Sequence, residues 1–498
     1  MELSARALSE LPGVRRQINR IAADLAAGVH CLWLFPDHLV EAGYAEELHH
    51  VALCAAPDRL DIPARSESET SSVPLLGVLP EQTGWALDDL PLLEDYDDGF
   101  DLGREPVFPR QRGVPRLTGA PEAPESGLLA RLAKELSVPP REAVDTLVDP
   151  DRRWRPVIGV RAWEEPAASA ASGDPEQERG REVARLIRSL NAAAKQAGLL
   201  PENRPRLLVT ARVDDLPPRF PDELELDLAT SAVHWWWGTV DRLDSATVVS
   251  AVAAEVSRDT HRRGEIPRDR ILRAVRDEVV SEVCGPDPVL GWRLARRWDG
   301  SQGTLEDSLR ACLDGVRAVP PEEPLTVPSG VGSGHRPSTG LRPAWARGLL
   351  QAWDGRSRVH PVVWCGDRSR SDHLKILVSQ AQARVLLPWI EEARQRMAWR
   401  ALSAATRPVA ELIDLYVERP PAGYRTRAQE VFRTIEVGPL LRACRQGHLN
   451  LPAEDRRLLE QLVLARNVLS HRGVLFDRTL HVLCDELARA DQRWTGDM

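Results

Sequence analysis

The sequence predicts an α/β N-terminal half built on a mostly parallel sheet, then a helical extension and an all-α C-terminal domain. Three observations carry this expectation. Short apolar runs alternate with amphipathic stretches through the first half, the pattern of strands joined by crossover helices. A stretch rich in Pro, Gly and Ser interrupts the chain at 319–343. Beyond it almost every segment repeats its apolar residues at helical spacing.

With 498 residues the chain exceeds one ordinary core. The expected division is an α/β domain over 1–245 with a loop-rich insert at about 57–125, a helical extension at 246–318, a linker at 319–343, and a mainly helical domain at 344–498.

The first helix spans Leu11 to Gly28, with Val14, Ile18, Ile21 and Leu25 on one face and Gly28 as its stop. The run HCLWLF reads as a buried strand, and DHLVEAGYAEELHHVAL as a second helix with Asp37 as N-cap. In the insert, the acidic run Glu94 to Asp101 lacks the glycine spacing of a calcium loop and reads as a solvated acidic loop. A helix at Leu128 to Leu136, a strand at Val157 to Val160, a helix from about Glu176 to Ala197 and a strand at Leu207 to Ala211 follow. Trp235, Trp236 and Trp237 read either as wedges between sheet and helices or as part of a partner surface.

Helices are expected over Ser245 to Val256 and Arg268 to Val283, with a small helical tail after them. Past the linker, HPVVWCGD reads as one short strand. Asp372 to Ala401 reads as a long helix that Pro388 should kink or split. The segments Ala404 to Tyr416, Arg425 to Cys444, Pro452 to Ser470 and Thr479 to Ala490 complete the helical domain.

Composition excludes several function classes. A net charge of -9 argues against whole-surface affinity for nucleic acid or anionic membrane and leaves room only for a local patch. Of 65 basic residues only Lys134, Lys195 and Lys375 are lysines, a bias that reads as GC-rich coding, so arginine clusters are not counted as nucleic-acid sites. The first residues lack the apolar stretch of a secretory signal, and no run of about 18 apolar residues occurs, so the expected location is cytoplasmic with no membrane contact. Seven scattered cysteines without CxxC spacing predict neither disulfides nor structural zinc. His49 and His50, adjacent on a helix, cannot face one metal. No metal ligand and no cofactor is expected, and neither GxSxG nor HExxH occurs.

The order of elements over about residues 11–300 resembles AAA and STAND-type P-loop NTPases. In that comparison HCLWLFPDHLVEAG takes the phosphate-loop position, VIGVRAWEE the Walker B strand and LLVTARVDD the sensor strand. The chemistry is missing. A phosphate loop needs glycines that free backbone N–H groups, a lysine for the outer phosphates and a hydroxyl for magnesium. Between Phe35 and Glu46 stands one glycine, Gly43, with no Lys, Ser or Thr, and none of the three lysines follows a glycine-rich turn. The resemblance implies a degenerate P-loop NTPase-like module that serves as platform or sensor. An unrelated α/β domain with the same alternation is the other reading, and both exclude P-loop hydrolysis.

Near the C-terminus LPAEDRRLLEQLVLARNVLSHRG carries Arg466, Asn467 and His471. Asn467 and His471, four apart, share a helical face, while Arg466 is offset from His471 by about 140°. An R-polar-x-x-x-H motif late in an all-helical domain resembles the HEPN superfamily, many members of which are metal-independent ribonucleases. The resemblance covers about residues 370–490. It implies His471 as general acid or base, Arg466 as stabiliser of phosphate charge and Asn467 as the group orienting His471, assembled across a homodimer with RNA as substrate. Three readings stand: a catalytic site, an inactive HEPN domain, and a helix end where His471 and Arg472 simply favour the dipole. The expected function is a ribonuclease effector regulated by an inactive NTPase-like scaffold, an architecture that resembles bacterial conflict or anti-phage proteins. The alternative is a non-enzymatic adaptor that binds a partner ATPase or effector protein.

Overall fold

A computed structural model of the chain describes residues 3–64, 127–165, 180–258, 267–314, 334–365 and 371–496. The acidic run Glu94 to Asp101, nearly all of the expected insert and most of the expected linker lie outside these residues.

Five strands form one parallel sheet: β1 (His30–Leu34), β2 (Arg59–Asp61), β3 (Val157–Arg161), β4 (Arg206–Ala211) and β5 (Ser231–Trp235). Their order is β2-β3-β4-β1-β5. Strand β1 lies between two neighbours and under helices, so every one of its residues is buried, which is why HCLWL shows no polar alternation. Sequence periodicity found neither β2 nor β5. The first is three residues long with two charges, and the second is masked by the tryptophan run.

Helix α1 (Pro12–Ala26) buries Val14, Ile18, Ile21 and Leu25, the face read from the sequence. The second helix differs from expectation. It is two pieces, Asp37–Glu41 and α2 (Tyr44–Cys54), separated at Gly43, whose φ of 76° lies in the left-handed region. Pro36 occupies the N-cap position and Asp37 is already helical, so Asp37 does not cap. Helix α3 (Arg181–Gln196) covers the opposite face, where Asn191 Oδ1 meets His30 Nε2 at 3.0 Å.

Helices α4 (Arg242–Arg258), α5 (Pro267–Cys284), α6 (Pro288–Arg297) and α7 (Gln302–Leu313) follow. The described residues of HPVVWCGD, His360 to Cys365, form no strand: Pro361–Val363 is a 3-10 turn. The strands there are the antiparallel pair β6 (Leu350–Trp353) and β7 (Arg356–Val359) just upstream. Asp354 and Gly355 turn the hairpin with φ of 50° and 73°, the conformation a two-residue hairpin loop requires.

The long helix α8 (Ser371–Ser403) runs through Pro388 without splitting. Val409–Tyr416, Ala428–Phe432, α9 (Val437–Arg445), α10 (Ala453–Ser470) and α11 (Asp477–Gly496) complete the chain. The segment Arg425 to Cys444, expected to be helical, is helical in short pieces, with a break between Phe432 and Val437. Helix α5 lies along α8, and one continuous hydrophobic core runs through sheet and helices.

All three consecutive tryptophans are buried. The Trp345 indole donates to the Trp236 carbonyl at 2.9 Å, and Trp237 Nε1 donates to the Gly334 carbonyl at 3.0 Å. The tryptophans therefore anchor residues 334–365 to the sheet edge. Among the described residues no helix is long and apolar enough to cross a membrane.

Candidate functional site

Ligands of open parallel sheets bind beyond the carboxyl ends of the strands, where the crossovers diverge. Here that point is β1, because its own crossover leads toward β2 while the chain leaving β4 passes to β5. The loop leaving β1 is closed rather than open. Phe35 is fully buried, its N–H donates to the Ala211 carbonyl at 2.9 Å, and its ring lies 4.5 Å from Trp33 and 5.7 Å from Trp236. Pro36 follows and has no N–H to offer an anion.

Beside this loop, the guanidinium that acts on Asp37, that of Arg212, is already committed. Arg212 grips Asp215 with Nη2 to Oδ1 at 2.8 Å and Nε to Oδ2 at 3.0 Å, and its backbone N–H also donates to Oδ2. Burial pushes the Asp37 carboxyl up to about 6; Arg212 opposes the shift, while Asp214, Glu41 and Asp215 add to it. Carboxylates gathered round a neutralised arginine repel phosphate oxygens.

The end of β3 is also occupied. Arg161 binds Asp61 Oδ2 through Nη1 at 2.8 Å and Glu164 Oε1 through Nε at 2.9 Å. Glu165 pairs with buried Arg131. Deeper between α2 and the sheet, His49 Nδ1 meets Thr210 Oγ1 at 3.0 Å and its Nε2 stands 3.4 Å from Asp61 Oδ1. This line of hydroxyl, imidazole and carboxylate is not a nucleophile site, because Thr210 and His49 are sealed in the core. Gly159 makes room for it: a Cβ there would stand 2.7 Å from Leu53 Cδ2 and 2.8 Å from His49 Nε2. His50 points outward and lies 3.5 Å from the exposed Cys54 thiol, so the adjacent histidines do face different ways.

At the other end of the chain, Arg466 is half-exposed and pairs with Glu436 at 2.8 Å, bridging α10 to the start of α9. Asn467 and His471 are exposed. His471 sits just past the last helical residue. Arg472 takes a φ of 56°, its N–H bonds the Leu469 carbonyl at 3.0 Å, and the Gly473 N–H bonds the Val468 carbonyl at 2.8 Å. That is a Schellman cap. Asn467 and His471 thus share an open face, while Arg466 is turned across to another helix.

Two constellations escaped the sequence. Glu282, nearly buried on α5, receives Arg242 at 2.9 Å, Arg384 at 2.8 Å and Arg358 at 3.3 Å, which ties α4, α5, β7 and α8 together. Asp24, Cys31 and His234 come together between α1 and strands β1 and β5, with one ligand atom from each within 4.8 Å of the others. Neither has a local motif, since their members are scattered along the chain. Comparisons with protein-family models, curated proteins and solved structures find no match for this chain.

Proposed function

We propose that the chain is a non-hydrolysing scaffold: an α/β module of P-loop NTPase type with a closed nucleotide position, packed against a helical domain, that acts by binding protein partners. The observation that carries this reading is the environment of Asp37, where a phosphate would have to approach Asp214, Asp215 and Glu41 with Arg212 already bound to Asp215. The sheet order adds support. The strands assigned by resemblance to the phosphate loop, the sensor and Walker B are β1, β4 and β3, and they lie side by side with their carboxyl ends on one edge. Energy-dependent behaviour then belongs to a partner ATPase.

A ribonuclease effector is the second reading, favoured by the exposed face shared by Asn467 and His471. It requires a second copy to complete the cleft and requires Arg466 to leave Glu436.

The deciding experiment measures ATP binding, ATP hydrolysis and RNA cleavage by the purified full chain, with His471→Ala alongside. The scaffold reading expects no saturable ATP binding, no phosphate release and no cleavage that depends on His471. Stoichiometric ATP turnover overturns it. RNA cleavage lost in a folded His471→Ala variant replaces it with the nuclease.

A further inference from the structure

We propose that Asp24, Cys31 and His234 form a three-ligand site for a zinc-class divalent cation, with its fourth position open to a groove on the sheet edge. Among the described residues this is the one place where three such side chains each bring a ligand atom within 4.8 Å of the others.

The fold assembles the set from three elements. β1 and β5 run parallel with Cys31 opposite Ala232 and Trp33 opposite His234. Cys31 and His234 are therefore diagonal neighbours on one face of the sheet, within side-chain reach. Helix α1 crosses that face, and its residues Gln17, Ile21 and Asp24 follow one another at helical spacing above it. Cys31 Sγ lies 3.7 Å from the Ile21 carbonyl, which places the thiol under this stripe.

The histidine is the second, independent observation. His234 is 7% exposed. Its Nε2 lies 3.0 Å from Asp24 Oδ2 yet lacks an aligned hydrogen-bond partner. Its other ring nitrogen, Nδ1, is held 3.0 Å from the Gln17 side-chain amide. The Gln17 amide nitrogen stands at Nδ1 here; with the amide turned so that its oxygen accepts from Nδ1–H, Nε2 keeps its lone pair beside Asp24, within 4.8 Å of the Cys31 thiol. A ligating histidine is regularly fixed in this way, with its second nitrogen bound by an outer partner. The choice of amide face is free, because the oxygen and nitrogen of a glutamine are interchangeable in outline.

Ligand chemistry selects the ion. One thiolate, one imidazole and one carboxylate suit Zn2+, and the two anionic ligands neutralise its charge. That neutrality makes the nearby Arg16 and Arg20 tolerable. Binding displaces the Cys31 thiol proton, and one proton leaves to solvent for each ion bound. Asp24 and His234 line a groove of about 690 Å³ shared with Arg16, Arg20, His335 and Arg336. A water or a small anion from that groove supplies the fourth ligand, the arrangement of zinc sites that keep an open position.

Cobalt(II) reports the geometry directly. The full-length chain, stripped with chelator and titrated with Co2+ alone, is expected to bind one ion and develop sulfur-to-cobalt charge transfer with tetrahedral visible bands, both displaced by Zn2+. The titration uses a Cys54→Ala background, because the exposed Cys54 and His50 pair is the obvious adventitious ligand. Cys31→Ser is expected to abolish the charge-transfer band, Asp24→Asn to weaken binding at least tenfold, and Gln17→Ala to weaken it about tenfold through loss of imidazole orientation. Circular dichroism establishes that each variant is folded. Absence of the band in the folded chain, or a band that survives Cys31→Ser, overturns the proposal. Because no arm reads ATP or RNA, the outcome is separate from that of the scaffold reading.

Discussion

Arg242 on α4 and Glu282 on α5 stand 2.9 Å apart, and the carboxylate, 3% exposed, is shared with Arg384 of α8 and Arg358 of β7. Three guanidinium groups from separate elements thus converge on one buried acid. Arg242 also pairs with Glu278 and Asp354, and Arg384 with Glu278, so removing Glu282 strands chiefly the guanidinium of Arg358, which is largely shielded from water.

Replacing Glu282 by Ala is expected to lower unfolding free energy by about 3–5 kcal/mol in urea denaturation. Burial alone pushes the Glu282 carboxyl up, but Arg384, Arg358 and Arg242 outweigh it and hold it below its ordinary value. A depressed acid contributes stability that is present above the unfolded value of about 4.3 and is lost as pH falls through the folded one. The native chain should therefore lose stability below about pH 4, and Glu282→Ala should flatten that part of the curve.

His30 gives a pH signature at higher pH. Its Nδ1 accepts the Leu207 N–H at 3.0 Å, so the ring proton sits on Nε2 and is donated to Asn191. Burial lowers its pKa to about 4, with Asn191 opposing and Arg204 adding. The folded ring stays neutral while the unfolded one titrates near 6.5, so the stabilisation is whole above about pH 6.5 and falls away toward pH 4. The loss is at most about 3 kcal/mol. His30→Gln should remove this dependence from stability measured between those limits.

Asp37 has the opposite sign. An acid raised to about 6 by burial penalises the folded state wherever the carboxylate must be charged. The penalty is complete above about pH 6 and is relieved as pH falls toward the unfolded value of about 3.9. Asp37→Asn is expected to stabilise the chain at pH 7.5 by about 1 kcal/mol, after allowance for its partial exposure. Thermal denaturation of the two chains at pH 7.5 and pH 5 checks both sign and pH dependence.

Trp345 is fully buried, with its ring edge-on to Trp235 at 5.2 Å and its N–H on the Trp236 carbonyl. Trp345→Ala should cost about 3–5 kcal/mol. Because the side chain holds residues 334–365 against the sheet, proteolysis in that segment should accelerate. Unchanged cleavage in a destabilised chain would show that the anchor lies elsewhere.

Much of the fold was legible because burial writes simple patterns. The runs HCLWL, VIGV and LLVTA carry no polar alternation and are the three central strands. Other signals are present but weaker than those of their apolar neighbours. The Asp354-Gly355 pair between Trp353 and Arg356 is a two-residue hairpin turn, whereas the more apolar HPVVW, which reads as a strand, carries Pro361 and folds as a 3-10 turn. Gly43 also marked the break between two helices in plain view.

By itself the sequence determined the alternating α/β half, the helical C-terminal half and the lack of phosphate-loop chemistry after β1. Each depends only on local periodicity or on residues that are neighbours in the chain. The tertiary structure alone decided that Arg466 turns to Glu436 while Asn467 and His471 stay open. It alone decided that Asp24, Cys31 and His234 meet. Strand order and register bring residue 234 beside residue 31, and a crossing helix lowers residue 24 onto both. No local pattern records such a meeting, because the free energy that holds it comes from burying the sheet faces and not from the three polar groups themselves.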